Sequence, residues 1–121
     1  MANILIVDDS STMRKIISRS LRQAGLSVDE IYEAGDGIEG LGVIASGKVI
    51  NLILSDINMP NMDGIEFVKQ VRANGNTTPI VMITTEGGEE IIKDAIASGA
   101  SSSIKKPFTP DQLQETLGGL L

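Results

Sequence analysis

Three aliphatic stretches of this sequence, and a fourth that is short and unusually polar, lead into groups that can bind an ion. Residues 4–7 (Ile-Leu-Ile-Val) run into Asp8 and Asp9, and residues 52–54 (Leu-Ile-Leu) lead through Ser55 to Asp56. Residues 79–84 end in Thr84 with Thr85 behind it, and residues 101–105 lead to Lys106. Short aliphatic runs of this kind suit parallel strands covered on both faces. The strand before Asp56 should stop there, because Pro60 and Asp63-Gly64 are turn formers. Parallel strands share their carboxyl ends, where open α/β sheets build their sites. Asp8, Asp9, Asp56, Thr84 and Lys106 should therefore meet at one edge of a sheet.

Three carboxylates brought together repel. A pair at about 4 Å costs about 1 kcal/mol in water and about 4 at an effective dielectric of about 20. Oxygen donors without imidazole select a hard cation such as Mg²⁺, and a lysine adds a second positive charge. An acidic pair alone is usually a solvated turn, and a lone strand-end threonine is usually structural. One such group per strand, at four strand ends, is far more specific.

The intervening segments carry the elements that must hold these groups. Ser10, Ser11 and Thr12 offer a helix cap, followed by an apolar stripe of Met13, Ile16, Ile17, Leu21 and Ala24, with Gly25 as a stop. Residues 28–34 read as a strand broken by Gly35-Asp36-Gly37. Residues 38–46 read as a helix weakened by Gly40 and Gly42, with close packing or local mobility as the reason for the glycines. Ile65, Val68 and Val71 mark a further helix. After Gly87-Gly88, Glu89 and Glu90 open a helix whose buried stripe is predicted as Ile92, Ala95 and Ile96, ending at Gly99. Thr109-Pro110-Asp111-Gln112 is a capping box, and Leu113, Leu117 and Leu120 line the last helix.

Strand–helix alternation repeated five times, without a linker, predicts an α/β fold: a doubly wound parallel sheet with helices on both faces. A chain of 121 residues fits one domain, 1–121. Its only aromatic residues are Tyr32, Phe67 and Phe108, so the core must be aliphatic. The absence of Cys and His excludes thiolate zinc sites, Cys nucleophiles and imidazole bases. A net charge of -6 argues against nucleic-acid binding, and no apolar run approaches the ~20 residues of a membrane span. A cytoplasmic monomer is expected.

Asp8-Asp9, Asp56, Thr84 and Lys106-Pro107, together with Met59–Gly64 (MPNMDG), resemble the receiver domain of two-component response regulators, nearest to the single-domain chemotaxis (CheY) type. The similarity covers essentially the whole chain and implies a flavodoxin-like five-stranded sheet of order 2-1-3-4-5 with no output domain. It implies that Asp56 is the phosphoacceptor, taking a phosphoryl group from a histidine kinase. Asp9 would ligate Mg²⁺ directly, Asp8 through water, and the Asn58 backbone carbonyl would complete the protein ligands with Asp56. Thr84 would bond a phosphoryl oxygen and Lys106 would pair with it. Lys105 competes for that role; the family's lysine directly precedes a proline, which favours Lys106, and alternation turns the two side chains to opposite faces. The family's Lys-Pro bond is typically cis. Asn58 and Glu86 occupy positions that tune dephosphorylation. Further partners implied are a flagellar motor switch or a phosphatase. The domain would catalyse only its own phosphorylation and dephosphorylation and would not be an enzyme on a separate substrate.

Ser103 departs from the pattern, since the chemotaxis type usually carries Tyr or Phe there. That counts against direct flagellar-motor binding and raises two alternatives, a phosphorelay intermediate or a phosphate sink. A haloacid-dehalogenase-type phosphatase would need a general acid where Asn58 stands. A flavodoxin-like cofactor binder would need a phosphate loop where Asp8-Asp9 would repel one.

Overall fold

The computed structural model describes residues 2–84 and 89–120. Strands and helices alternate: β1 (Ala2–Val7), α1 (Ser11–Gln23), β2 (Val28–Ala34), α2 (Gly37–Ala45), β3 (Leu52–Asp56), α3 (Gly64–Ala73), β4 (Ile80–Thr84), α4 (Glu89–Ser98), β5 (Ser102–Lys105) and α5 (Pro110–Gly118). All pairings are parallel and the strand order is β2-β1-β3-β4-β5. The expected doubly wound sheet and its order are both present.

Strand alternation divides the core into two layers. On one face Leu5, Val7, Ile53, Ile80 and Met82 pack against Phe67, Val68 and Val71 of α3 and Ala95 of α4, with α2 side chains at the margin. On the other, Ile4, Ile6, Leu52, Leu54, Val81, Ile83 and Ile104 meet Ile17 and Leu21 of α1 and Leu113 and Leu117 of α5. The core is aliphatic as composition requires; Phe67 is its one fully buried ring among the described residues.

Helix ends follow the cap chemistry. Ser10 accepts from the Met13 N–H at α1, Asp63 from Glu66 at α3, and Thr109 and Gln112 close a reciprocal capping box at α5. The Asp36 side chain caps α2, so this helix starts at Gly37, one residue before the expected start. Two stripe assignments need correction. Ile16 and Ile96 are each 43% exposed. Each lies one residue off its helix's buried line: Ile17, also on the expected stripe, is in the core while Ile16 is not, and Ile91 and Ala95 carry the α4 contact. Leu120 lies past the end of α5 but still packs on the core.

Gly40 and Gly42 have different reasons. A Cβ at Gly40 would stand 2.9 Å from the Phe67 ring, so that glycine permits close approach of α2 to α3. A Cβ at Gly42 would meet nothing within 4 Å.

Candidate functional site

The sheet register carries the polar residues to one edge. Val7 pairs with Ser55 and Asp56 with Ile83, so Asp8 follows level with Asp56 and Thr84 lies one step beyond. The chain reverses its winding direction between β1 and β3, and this is the crevice where doubly wound sheets bind ligands. Ligand oxygens of Asp8, Asp9 and Asp56 all lie within 4.8 Å of one another, so the cluster can hold a metal ion. An all-oxygen donor set of three acids fits a hard divalent cation.

The three carboxylates have different surroundings. Asp8 is buried; its Oδ1 accepts from the Ser10 N–H at 2.9 Å, and its Oδ2 faces Lys106 Nζ at 3.4 Å. Asp9 is exposed. Asp56 is partly buried; its Oδ1 accepts from the Ile57 N–H at 2.8 Å, and its Oδ2 lies 4.0 Å from Lys106 Nζ. Burial pushes the Asp56 carboxyl above its ordinary value, and the Asp8 and Asp9 charges add to this; Lys106 and the Ile57 N–H pull the other way.

Of the two lysines, Lys106 is the one placed beside the acids. Lys105 is exposed, whereas the Lys106 side chain is 10% exposed and pairs with two of the acids. The Lys106 N–H donates to the Thr84 carbonyl at 2.7 Å, which ties the ends of β4 and β5 together. The Lys106–Pro107 peptide is cis. Thr84 is buried at the end of β4. Asn58 is exposed on the loop between β3 and α3. Ser103 is half-buried beside a groove of about 200 Å³ that Lys105, Gln112, Glu115 and Thr116 also line. Glu86, with Thr85, Gly87 and Gly88, lies outside the described residues.

Sequence reasoning missed three supports. Arg14 donates to the Asp8 carbonyl at 2.6 Å and pairs with Glu33 of β2. Gly64 sits so close to the Asp56 carbonyl that any Cβ there would overlap it. Asp36, read as part of a break, joins Asn61 at 2.7 Å. The Asp36-x-x-Glu39 spacing was a capping signal for part of that role.

A parallel α/β sheet with three acids, a buried threonine and a lysine at its switch point defines a protein that can hold a cation beside a partly buried carboxylate. The chain belongs to the response regulator receiver domain family, whose profile matches residues 4–118. It is similar to the chemotaxis protein CheY homolog of Campylobacter jejuni, 42% identical over 120 residues, covering 98% of this chain and 91% of that protein. CheY1 of Helicobacter pylori is 41% identical over 116 residues, covering 94% and 92% of the two chains. The structure of chemotaxis response regulator CheY4 of Vibrio cholerae superposes with a TM-score of 0.85 at 42% identity, covering 100% of this chain and 99% of that one.

Proposed function

We propose that this chain is a phosphoacceptor of the chemotaxis type, receiving a phosphoryl group on Asp56 from a histidine kinase with Mg²⁺. One observation carries the reading: Asp56 Oδ2 lies 4.0 Å from Lys106 Nζ within a cluster that Asp8 and Asp9 complete. The likeness to chemotaxis proteins over nearly the whole length of each supports the pathway.

Asp8, Asp9, Asp56 and the Asn58 carbonyl would hold Mg²⁺, which when bound neutralises charge on the acids and on the incoming phosphoryl group. The Ile57 N–H occupies Asp56 Oδ1, which leaves Oδ2 as the nucleophile. Oδ2 forms a bond to phosphorus while the P–N bond to the donor histidine breaks, and the imidazole nitrogen keeps the electron pair. Phosphoryl transfer asks for in-line positioning and charge stabilisation rather than a base, and no imidazole is needed. Lys106 follows the charge from the carboxylate to the phosphoryl oxygens, and the Thr84 hydroxyl donates to one of them. Water attack on phosphorus restores the carboxylate. The domain thus acts only on its own phosphoryl group.

No helix among the described residues is long and apolar enough to cross a membrane. The cytoplasm, where histidine kinases draw on ATP, is the compartment this reading requires. A second reading, a phosphorelay intermediate or phosphate sink, is favoured by Ser103, which supplies no ring to the groove it faces. Transfer from a phosphorylated histidine-kinase domain tests the proposal. Label should pass to the chain in Mg²⁺ and not after chelation; no transfer under either condition would refute it.

A further inference from the structure

The loop from Ile57 to Asp63 carries Asn58, and two sets of contacts hold it. At its neck the Gly64 N–H donates to the Ile57 carbonyl at 2.7 Å, and the Ile57 N–H donates to Asp56 Oδ1. At its tip Asn61 Nδ2 donates to Asp36 Oδ2 at 2.7 Å, 25 residues away in sequence. Asn61 has φ 66, the only positive value for a non-glycine residue among those described, and it directs the loop toward the start of α2. Beside it the Gly37 N–H approaches the Met62 carbonyl at 3.4 Å, and a Cβ at Gly37 would strike the Met62 side chain.

Asp36 is 6% exposed and uses both oxygens: Oδ1 caps α2 through the Glu39 N–H at 2.9 Å, and Oδ2 holds Asn61. Capping a helix needs only one oxygen, which serine would supply. The second oxygen is spent on the loop. We infer that Asp36 and Asn61 are positioning residues for the cation site: their bond pins the loop tip so that the Asn58 carbonyl is held ready to join Asp8, Asp9 and Asp56.

This inference rests on the reading of those residues as the metal-holding set. Asn58 lies between the two pins. With the Asn61 bond lost, the tip keeps only the longer Gly37–Met62 contact, and more of the ordering must be repeated at each binding event. Partners that orient ligands from outside the coordination sphere typically matter tenfold or more to metal affinity.

The test is an amide NMR titration of the full chain with Mg²⁺, on wild type and five variants. Asp36→Ser keeps the cap and loses the clasp, while Asn61→Gly keeps the left-handed backbone and loses the clasp. Each should weaken Mg²⁺ binding about tenfold, and combining them should weaken it no further. Asp36→Asn should bind like wild type, because an asparagine can meet Asn61 once that amide is turned over. Metal-free Asp36→Ser should melt close to wild type. Phosphorylation of the clasp variants by an acyl phosphate should slow at low Mg²⁺ and recover at saturating Mg²⁺. Unchanged Mg²⁺ affinity in Asp36→Ser and Asn61→Gly, with Asp9→Asn deficient, would overturn the clasp alone. A wild-type chain that does not bind Mg²⁺ would overturn the metal reading and the clasp together.

Discussion

Lys106 Nζ lies 3.4 Å from Asp8 Oδ2, an ion pair that reaches across the ends of β4 and β3 to join the edge of the sheet to its centre. The same ammonium stands 4.0 Å from Asp56 Oδ2 and so offsets repulsion among the acids before any metal arrives. Both partners are largely buried, and removing one leaves an uncompensated charge. Lys106→Met should destabilise the metal-free protein by about 3 kcal/mol. Mg²⁺ should raise the melting midpoint of the variant more than that of wild type. Paired thermal melts with and without the metal decide this.

Asp56 has the opposite effect on stability. Its carboxyl is raised above its ordinary value of 3.8, by burial first. A carboxyl with a raised folded pKa binds its proton more tightly in the native state. Its favourable contribution is full below the unfolded pKa and is lost as pH rises through the folded one. Metal-free Asp56→Asn should therefore be more stable than metal-free wild type at neutral pH, by on the order of 1 kcal/mol. The gap should close as pH falls below 3.8. Melts across that range measure it, and a gap that widens on acidification would contradict the assignment.

Asp8, Asp9, Asp56 and Thr84 were legible because each follows an aliphatic run, and Lys106, after the polar run 101–105, because Pro107 stands directly behind it. Asp8, Asp9, Asp56, Thr84 and Lys106 needed no tertiary information beyond parallel strands sharing an end. Ile16 and Ile96 were misread because the edge of an apolar stripe is ambiguous by one position: Ile16 and Ile17 were both placed on it, and the neighbouring elements bury only Ile17. The Asp36–Asn61 bond was invisible because it joins two loops across 25 residues. Cap preference suggests what Asp36 does for its own helix and nothing about a distant partner.

The α2 glycines allow a sharper test of packing. Gly42→Ala meets open space and gains helix propensity, so it should stabilise by about 0.5–1 kcal/mol. Gly40→Ala drives a methyl into Phe67 and should cost about 1–3 kcal/mol. Gly64→Ala should be worse than either, because the obstruction is the Asp56 backbone rather than a side chain that can turn aside. Urea denaturation of the three variants checks the order.

Ser103 sets the expectation for output. A serine hydroxyl offers one hydrogen bond, about 1 kcal/mol net, whereas a tyrosine handles about 150–250 Å² of surface. Ser103→Tyr should fill the groove beside Lys105, Gln112 and Glu115, leave phosphorylation almost unchanged and alter partner binding. Phosphorylation rate and a pull-down with a phosphoryl mimic, made on the same variant, separate the two effects.

Intact-mass measurement after incubation with Mg²⁺ and a small phosphodonor tests the central claim most directly. Wild type should gain one phosphoryl group that is labile to base, Asp9→Asn should gain less, and Asp56→Asn should gain none. Equal labelling of Asp56→Asn and wild type would contradict Asp56 as the phosphoacceptor.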